Sequence, residues 1–210
     1  MKGITMSTET ITVQGVNPPK TKLGLAKMHK IIDAAEELFT NVGFYQTSIS
    51  DICKKAETAV GTFYIYFNTK TDIYRYLMEK YKQEIKTLLA KSIESCTTRY
   101  DKEREGIKCF VKYAVKNPNV YNIIWGSLSI DRNMFVDYYV SFSRSYTRAL
   151  SHDISEVKTD DPTTVAYALM GASNFLGLRA IFENMSDEEI DAMIDTTLMP
   201  YLLSGIFKNS

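Results

Sequence analysis

The sequence predicts an all-α protein: a small N-terminal head of three short helices, joined by a long fourth helix to a larger helical body. Apolar residues recur at three-four spacing in segment after segment, polar caps stand at the starts of those segments, and no stretch alternates as a half-buried strand does. The 210 residues are 45% hydrophobic and 24% charged, enough apolar material to bury a sizeable core and too much for a disordered chain.

Residues 1 to about 20 mix Thr, Gly, Lys and Pro without periodicity and end in Pro18-Pro19, which predicts a flexible arm over 1–22. The first helix follows from Leu25, Met28, Ile32, Ala35, Phe39 and Val42, and Gly43 closes it by taking the left-handed position past the last turn. The second starts at Thr47 or Ser48, whose hydroxyl can cap free amides, with Asp51 near the positive end and Ile49, Ile52 and Ala56 turned inward. After a break at Glu57-Thr58, the third runs from Ala59 to Phe67. These three helices make a head over 23–70.

Thr69 caps the fourth helix, in which Ile73, Leu77, Tyr81, Ile85, Leu88 and Leu89 hold helical spacing, and which links head to body from 70 to about 95. The body, 96–210, opens on a polar stretch from Thr97 to Glu105. Helices are then expected at about 104–116, 119–129, 132–154, 162–184 and 187–206. Pro118 and Pro162 mark starts, and a Ser186-to-Glu189 capping box marks the last.

Charge is uneven. Residues 150–210 carry three basic against ten acidic side chains and residues 1–149 carry 22 against 15, so the acidic end should avoid phosphate. Cys53, Cys96 and Cys109 show no CxxC spacing, and His29 and His152 have no second ligand nearby. Neither a disulfide framework, a metal site nor a cofactor is indicated. No Ser/His/Asp set, paired carboxylates or phosphate loop suggests an enzyme. Weighing apolar runs against the ~18 residues a membrane-spanning helix needs predicts no such helix, and the N-terminus lacks a signal-peptide core, so a cytoplasmic protein without a membrane partner is expected.

The second and third helices fit a helix-turn-helix, which sets its second member in the major groove. Thr58-Ala59-Val60-Gly61-Thr62 are small and would let backbone approach a duplex. Thr62 can bond a base edge or phosphate, and Ala59 and Val60 can press on thymine methyls. Tyr64 and Tyr66 offer hydroxyls to phosphate, Lys70 supplies charge, and Thr47 or Ser48 adds a clamp at a helix start. Phe63 and Phe67 read as core. Lys20, Lys22 and Lys27 form a basic arm beside the head. With no Arg, Lys, Asn or Gln from Thr58 to Phe67, the third helix lacks bidentate base readout. Specificity then falls to Thr58, Thr62, methyl contacts, DNA shape or the arm.

Over residues 25–75 the chain resembles the tetracycline-repressor (TetR) family of one-component transcriptional regulators. The resemblance is carried by Thr47, Ile52-Cys53, Ala56, Gly61-Thr62-Phe63-Tyr64-Ile65-Tyr66-Phe67 and Lys70, in the family's order and spacing. The chain departs from the pattern at Glu57 and Thr58, where glycine and an apolar residue are common, and at Ala59-Val60, where a polar or basic pair often sits. The resemblance implies a double-stranded DNA operator, a homodimer through the last two helices and a small-molecule effector in the body, with no enzymatic activity.

Within the body, Tyr113, Tyr121, Trp125, Tyr138, Tyr139, Phe142, Asn174 and Phe175 are the candidate ligand residues, with Asn122, Ser141 and Arg179 as further polar fixings for a hydrophobic or aromatic molecule. Small residues at 168, 171 and 177 allow close helix approach, so Ala168, Gly171, Phe175, Leu178, Ile194, Leu198 and Tyr201 are the candidate dimer interface. A repressor released by such a ligand is one reading. A DNA-bound dimer controlled by a protein partner is the other.

Overall fold

The computed structural model describes residues 11 and 13–205, and the first ten residues of the arm lie outside the described residues. Among the described residues every named element is helical, in the order α1 (Lys22–Asn41), α2 (Ile49–Lys55), α3 (Val60–Tyr66), α4 (Lys70–Ser92), α5 (Arg99–Lys116), α6 (Asn119–Ile130), α7 (Arg132–His152), α8 (Pro162–Phe182), α9 (Asp187–Met193) and α10 (Met199–Gly205). A π-helical turn, Ile194–Leu198, interrupts the last predicted helix between α9 and α10. The chain divides into two compact units, Met1–Tyr81 with Ile123–Ile130, and Lys82–Asn122 with Asp131–Ser210.

In the first unit, α1 is capped by the Thr21 hydroxyl and packs on α2 and α3. Its inward stripe is Met28, Ile31, Ile32, Ala35 and Phe39, while Val42, expected inside, is exposed because the helix has already ended. Gly43 follows at φ 102°, a conformation in which a Cβ is strained. Phe39, Phe44 and Tyr74 then cluster with ring centroids 5.3–5.4 Å apart. The Tyr74 hydroxyl donates to the Ile123 carbonyl at 2.6 Å, and the Tyr45 hydroxyl to the Ser129 carbonyl at 2.5 Å, fixing the C-terminal half of α6 in this unit. The described end of the arm is tied down as well: Asn17 N–H donates to the Tyr66 carbonyl and Asn68 N–H to the Gly15 carbonyl, around an isolated bridge between Val16 and Phe67.

The second unit is built on α8, which packs on α5 and α7. Its core includes Ile107, Val111, Leu150, Leu169, Ala180, Ile190 and Ile194. Lys108, Lys112 and Lys116, one per helical turn of α5, pair with Asp195, Asp191 and Asp187 at 2.7–2.8 Å, so the C-terminal acidic cluster is matched along its length by lysines. The sequence placed the start of α5 at about 104, yet the helix begins at Arg99, with Thr98 as its cap. The intervening polar residues are helical because Arg99 and Glu103, one turn apart, are buried against each other. A second difference concerns α8: contrary to the expectation from apolar runs, it is long and apolar enough to cross a membrane by length and composition alone. One face, Ala166, Leu169, Gly177 and Ala180, is buried in the unit, whereas Tyr167, Phe175 and Phe182 are exposed.

Candidate nucleic-acid interface and body cavity

The α2–turn–α3 segment is a helix-turn-helix whose turn is closed by backbone. Thr58 N–H donates to the Cys53 carbonyl and Glu57 N–H to the Lys54 carbonyl, the paired bonds of a Schellman turn. That turn needs a left-handed residue, and Glu57 supplies it at φ 53°, in the place where the family pattern commonly has glycine. Ser48 caps α2: the Asp51 amide donates to its hydroxyl at 3.1 Å, and the Ser48 amide donates to the Asp51 carboxylate at 2.9 Å. The Ser48 hydroxyl bond, then the backbone bond, hold the Asp51 carboxyl below its ordinary range.

Of the ten predicted DNA-contacting residues, seven face outward or lie at the surface. Ala59, Val60, Gly61 and Tyr64 are exposed on α3 and its cap, Thr58 and Thr62 are half-buried beside them, and Ser48 is exposed at the start of α2. Ile65, not among the predicted residues, is exposed next to Tyr64. Gly61 has a further property: a Cβ built on it would meet no atom within 4 Å. No described residue therefore occupies the space a Cβ at Gly61 would take.

The other three are turned inward, which corrects their assignment. Thr47 is 2% exposed, and its hydroxyl donates to the Gly43 carbonyl at 2.7 Å, locking the α1–α2 turn. Tyr66 is buried, so its ring belongs to the core with Phe63 and Phe67. Lys70 donates to the Phe44 and Thr47 carbonyls, each at 2.6 Å, and its ammonium lies 4.3 Å from the Phe44 ring centroid. Loss of water around it draws its pKa below that of an ordinary lysine. This lysine stitches the head together instead of reaching outward. Sequence spacing reports that a cation follows α3 but carries no sign of two carbonyls converging on it from 23 and 26 residues earlier.

The second unit holds a cavity of about 250 Å³. Four of the candidate ligand residues, Tyr138, Tyr139, Phe142 and Asn174, line it, together with Leu89, Phe110 and Met170. Four predicted ligand residues do not. Tyr113 donates to Glu84 at 3.0 Å and Tyr121 to the Asn174 carbonyl at 2.8 Å, so both hydroxyls brace helices. Trp125 is exposed and belongs to the first unit, and Phe175 is 66% exposed on α8. Of the further polar fixings, Ser141 accepts from the Lys86 ammonium at 2.9 Å, and Arg179 is exposed and paired with Glu183.

The cavity's polar lining was not anticipated. Arg99, Lys102, Glu103 and Tyr146 belong to its wall, with Arg99 and Tyr146 both donating to the buried Glu103 carboxylate. Burial pushes the Glu103 carboxyl up, against the pull of Arg99 and the Tyr146 hydroxyl. Arg99 and Glu103 stand one helical turn apart, a spacing legible in the sequence; their burial is not.

Of the predicted dimer residues, Ala168, Phe175 and Tyr201 are exposed, and Gly171, Leu178 and Leu198 are half-buried. Ile194 is fully buried in the core of the second unit, which removes it from the set. As at Gly61, a Cβ on Gly171 would meet nothing within 4 Å.

The comparisons follow the same division. Residues 31–77 match the sequence profile described as bacterial regulatory proteins, tetR family. The uncharacterized HTH-type transcriptional regulator YvdT of Bacillus subtilis strain 168 is 52% identical over 52 residues, 25% of this chain and 26% of that protein. The chain thus spans about a quarter of the length of the curated relatives it matches. By shape the likeness is longer. A TetR-like transcriptional regulator from Rhodococcus sp. RHA1 superposes with a TM-score of 0.70 at 18% identity, covering 85% of this chain and 96% of that one. The transcriptional regulator FadR from Bacillus subtilis, solved in complex with stearoyl-CoA, superposes with a TM-score of 0.69 at 22% identity, covering 85% and 98%. Residues 31–77 thus match the head of the tetR family of bacterial regulatory proteins in sequence, and the chain shares the helical fold of solved regulators.

Proposed function

We propose that the protein is a homodimeric transcriptional repressor that binds a double-stranded DNA operator through the exposed face of α3, and that a small hydrophobic or aromatic molecule in the body cavity releases it. The observation that carries the DNA reading is Gly61. Within a helix, glycine costs about 1 kcal/mol relative to alanine, and a Cβ built here would meet no described atom within 4 Å. A glycine kept at that cost, among Ala59, Val60 and Thr62 on an open surface, suits a backbone that must lie close to another molecule. Tyr64 beside it suits a phosphate oxygen.

The ligand half rests on the cavity, mostly apolar with a few polar groups, as small-molecule sites are. Such a space favours a small effector over a protein partner. The stearoyl-CoA complex of the similar Bacillus subtilis regulator supports an apolar or acyl compound as the class to try first. Because α4 begins in the first unit and ends in the second, a ligand that favours one form of the body over another can shift the spacing of two heads away from the about 34–36 Å of one DNA turn.

The test is fluorescence anisotropy with DNA flanking the gene. Affinity should fall steeply with salt, and Gly61→Ala should bind several-fold more weakly while its unfolding midpoint stays the same or rises. Full DNA affinity in both Gly61→Ala and Tyr64→Phe would sink the α3 assignment.

A further inference from the structure

Resting on the ligand-cavity reading above, we infer that the cavity's occupant is an uncharged, compact aromatic molecule carrying a hydroxyl, which accepts a hydrogen bond from Tyr138 and donates one to Asn174. Tyr138 lines the cavity and is 7% exposed, with its ring packed on Tyr139 and Phe142 at centroid distances of 5.3 and 4.9 Å. Its hydroxyl has no hydrogen-bond partner among the described residues. A phenol brings one donor and spare acceptor capacity, and leaving both unused away from bulk water is unfavourable, so a guest that supplies the partner gains what the fold has forgone. Burial, and after it the neighbouring Tyr139, Tyr113 and Tyr121 phenols, push the Tyr138 hydroxyl well above the ordinary tyrosine pKa, so it stays a neutral donor.

Asn174, on the same cavity wall, supplies the complementary half. Its side-chain nitrogen donates to the Met170 carbonyl at 2.7 Å. A carbonyl only accepts, so the nitrogen must be the atom on that side, and the amide oxygen is the one left over. That oxygen has no hydrogen-bond partner among the described residues. The Tyr121 hydroxyl, donating to the Asn174 backbone carbonyl at 2.8 Å, holds this stretch of α8 in place. The cavity thus offers a donor from α7 and an acceptor from α8, and a hydroxyl is the smallest group that answers both.

The ions of the wall argue for a neutral guest. Arg99 and Tyr146 donate to Glu103, and Asp153 draws Lys102 to 2.9 Å and Arg99 to 3.5 Å, so Arg99, Lys102 and Glu103 are matched without any guest. Lys86 is engaged as well, donating to the Ser141 hydroxyl at 2.9 Å with its ammonium 5.3 Å from the Phe142 ring centroid. A charged guest would have to draw an ion from such a pair and leave its partner uncompensated. Size sets the rest: about 250 Å³ falls just below the range of roughly 300–1,000 Å³ typical for drug-sized ligands, and the rings of Phe110 and Phe142 suit packing against a single aromatic ring.

The experiment compares four probes on the full-length protein by calorimetry and thermal shift at pH 7: 4-propylphenol, 4-propyltoluene, 4-propylanisole and 4-propylbenzoate. The phenol should bind about three- to tenfold more tightly than the toluene, although it is the less hydrophobic of the two. The anisole, which can accept from Tyr138 but has nothing to donate to Asn174, should fall between them, and the benzoate should bind most weakly. Tyr138→Phe should erase the advantage of phenol and anisole over the toluene while the toluene still binds, which separates a lost hydroxyl from a damaged cavity. In the ligand-free protein the same variant should melt at the same temperature or higher, because it removes a hydroxyl that bonds nothing; a lower melting temperature would show a partner within the chain and overturn the inference. Toluene binding at least as tight as that of the phenol overturns hydroxyl recognition and leaves the cavity an apolar ligand site. Benzoate binding as tight as that of the phenol overturns the neutral guest. Absence of binding by all four to the folded protein overturns the inference together with the ligand-cavity reading, while the DNA measurements remain unaffected.

Discussion

Glu57 and Lys70 show how far a side chain's role can depart from its chemical type. Glu57 is an acidic residue used for its backbone: it holds the left-handed position of the turn at φ 53°, and its exposed ion pair with Lys30, at 3.9 Å, adds little. Glu57→Gly should therefore stabilise the head by about 0.5–1 kcal/mol in urea denaturation, the relief of strain being partly offset by the freer unfolded chain. A loss of stability would mean that the ion pair outweighs the strain. Lys70 is a cation used as a hydrogen-bond donor to two carbonyls. Lys70→Met should cost about 1–3 kcal/mol of stability, since both carbonyls lose their donor, whereas Tyr64→Phe should stay within about 0.5 kcal/mol of the parent. A Lys70→Met protein of full stability with a salt slope reduced by one would return Lys70 to the phosphate contacts.

Helix starts are where local sequence speaks most clearly. Ser48 with Asp51, Ser186 with Glu189, and Thr69 with Asp72 begin helices as their spacing predicts, and Pro162 opens α8 with Asp161 as the cap the structure adds. Asp51 and Asp161 are each held below the ordinary carboxylate range, chiefly by hydroxyl hydrogen bonds from Ser48 and Thr164. A carboxyl whose folded pKa is depressed contributes fully above the unfolded value, near 3.9, and loses that contribution as pH falls through the folded value. The melting temperature should accordingly drop as pH is lowered from about 4 toward 2. The double variant Asp51→Asn, Asp161→Asn should be less stable at pH 7 and flatter across that range; an equally steep profile would place the acid sensitivity elsewhere. The start of α5 shows the limit of such reading. Thr98 and Asp101 carry the cap signal, yet Arg99 and Glu103 look like solvated charges until tertiary packing buries them.

At the scale of the whole molecule, the exposed face of α8 is the feature the single chain leaves open. Phe175 and Phe182 are 66% and 76% exposed, Tyr201 is 77% exposed, and Gly171 has free space where a Cβ would stand. An apolar surface of this kind, with a small residue at its centre, suits a symmetric helix-on-helix contact. In sedimentation experiments Gly171→Leu should fold normally and raise the dimer dissociation constant by at least about tenfold, since the added side chain enters space a partner would need. An unchanged dimer would move the interface off α8. Loss of the dimer should also weaken operator binding, because a symmetric site is read by two heads at once.

Periodicity, caps and the Gly61-to-Phe67 pattern determined the all-α class, the order of the helices and the location of the helix-turn-helix, because each of those depends on residues within a few turns of one another. Which polar side chains face out was decided only by the tertiary structure. Thr47 and Lys70 found backbone partners across a turn, Tyr66 found the core, and Arg99 and Glu103 found each other at a cavity wall whose other side comes from α4, α7 and α8. A hydroxyl or ammonium satisfies its hydrogen bonds wherever the fold brings a carbonyl within reach, and that distance is a property of packing.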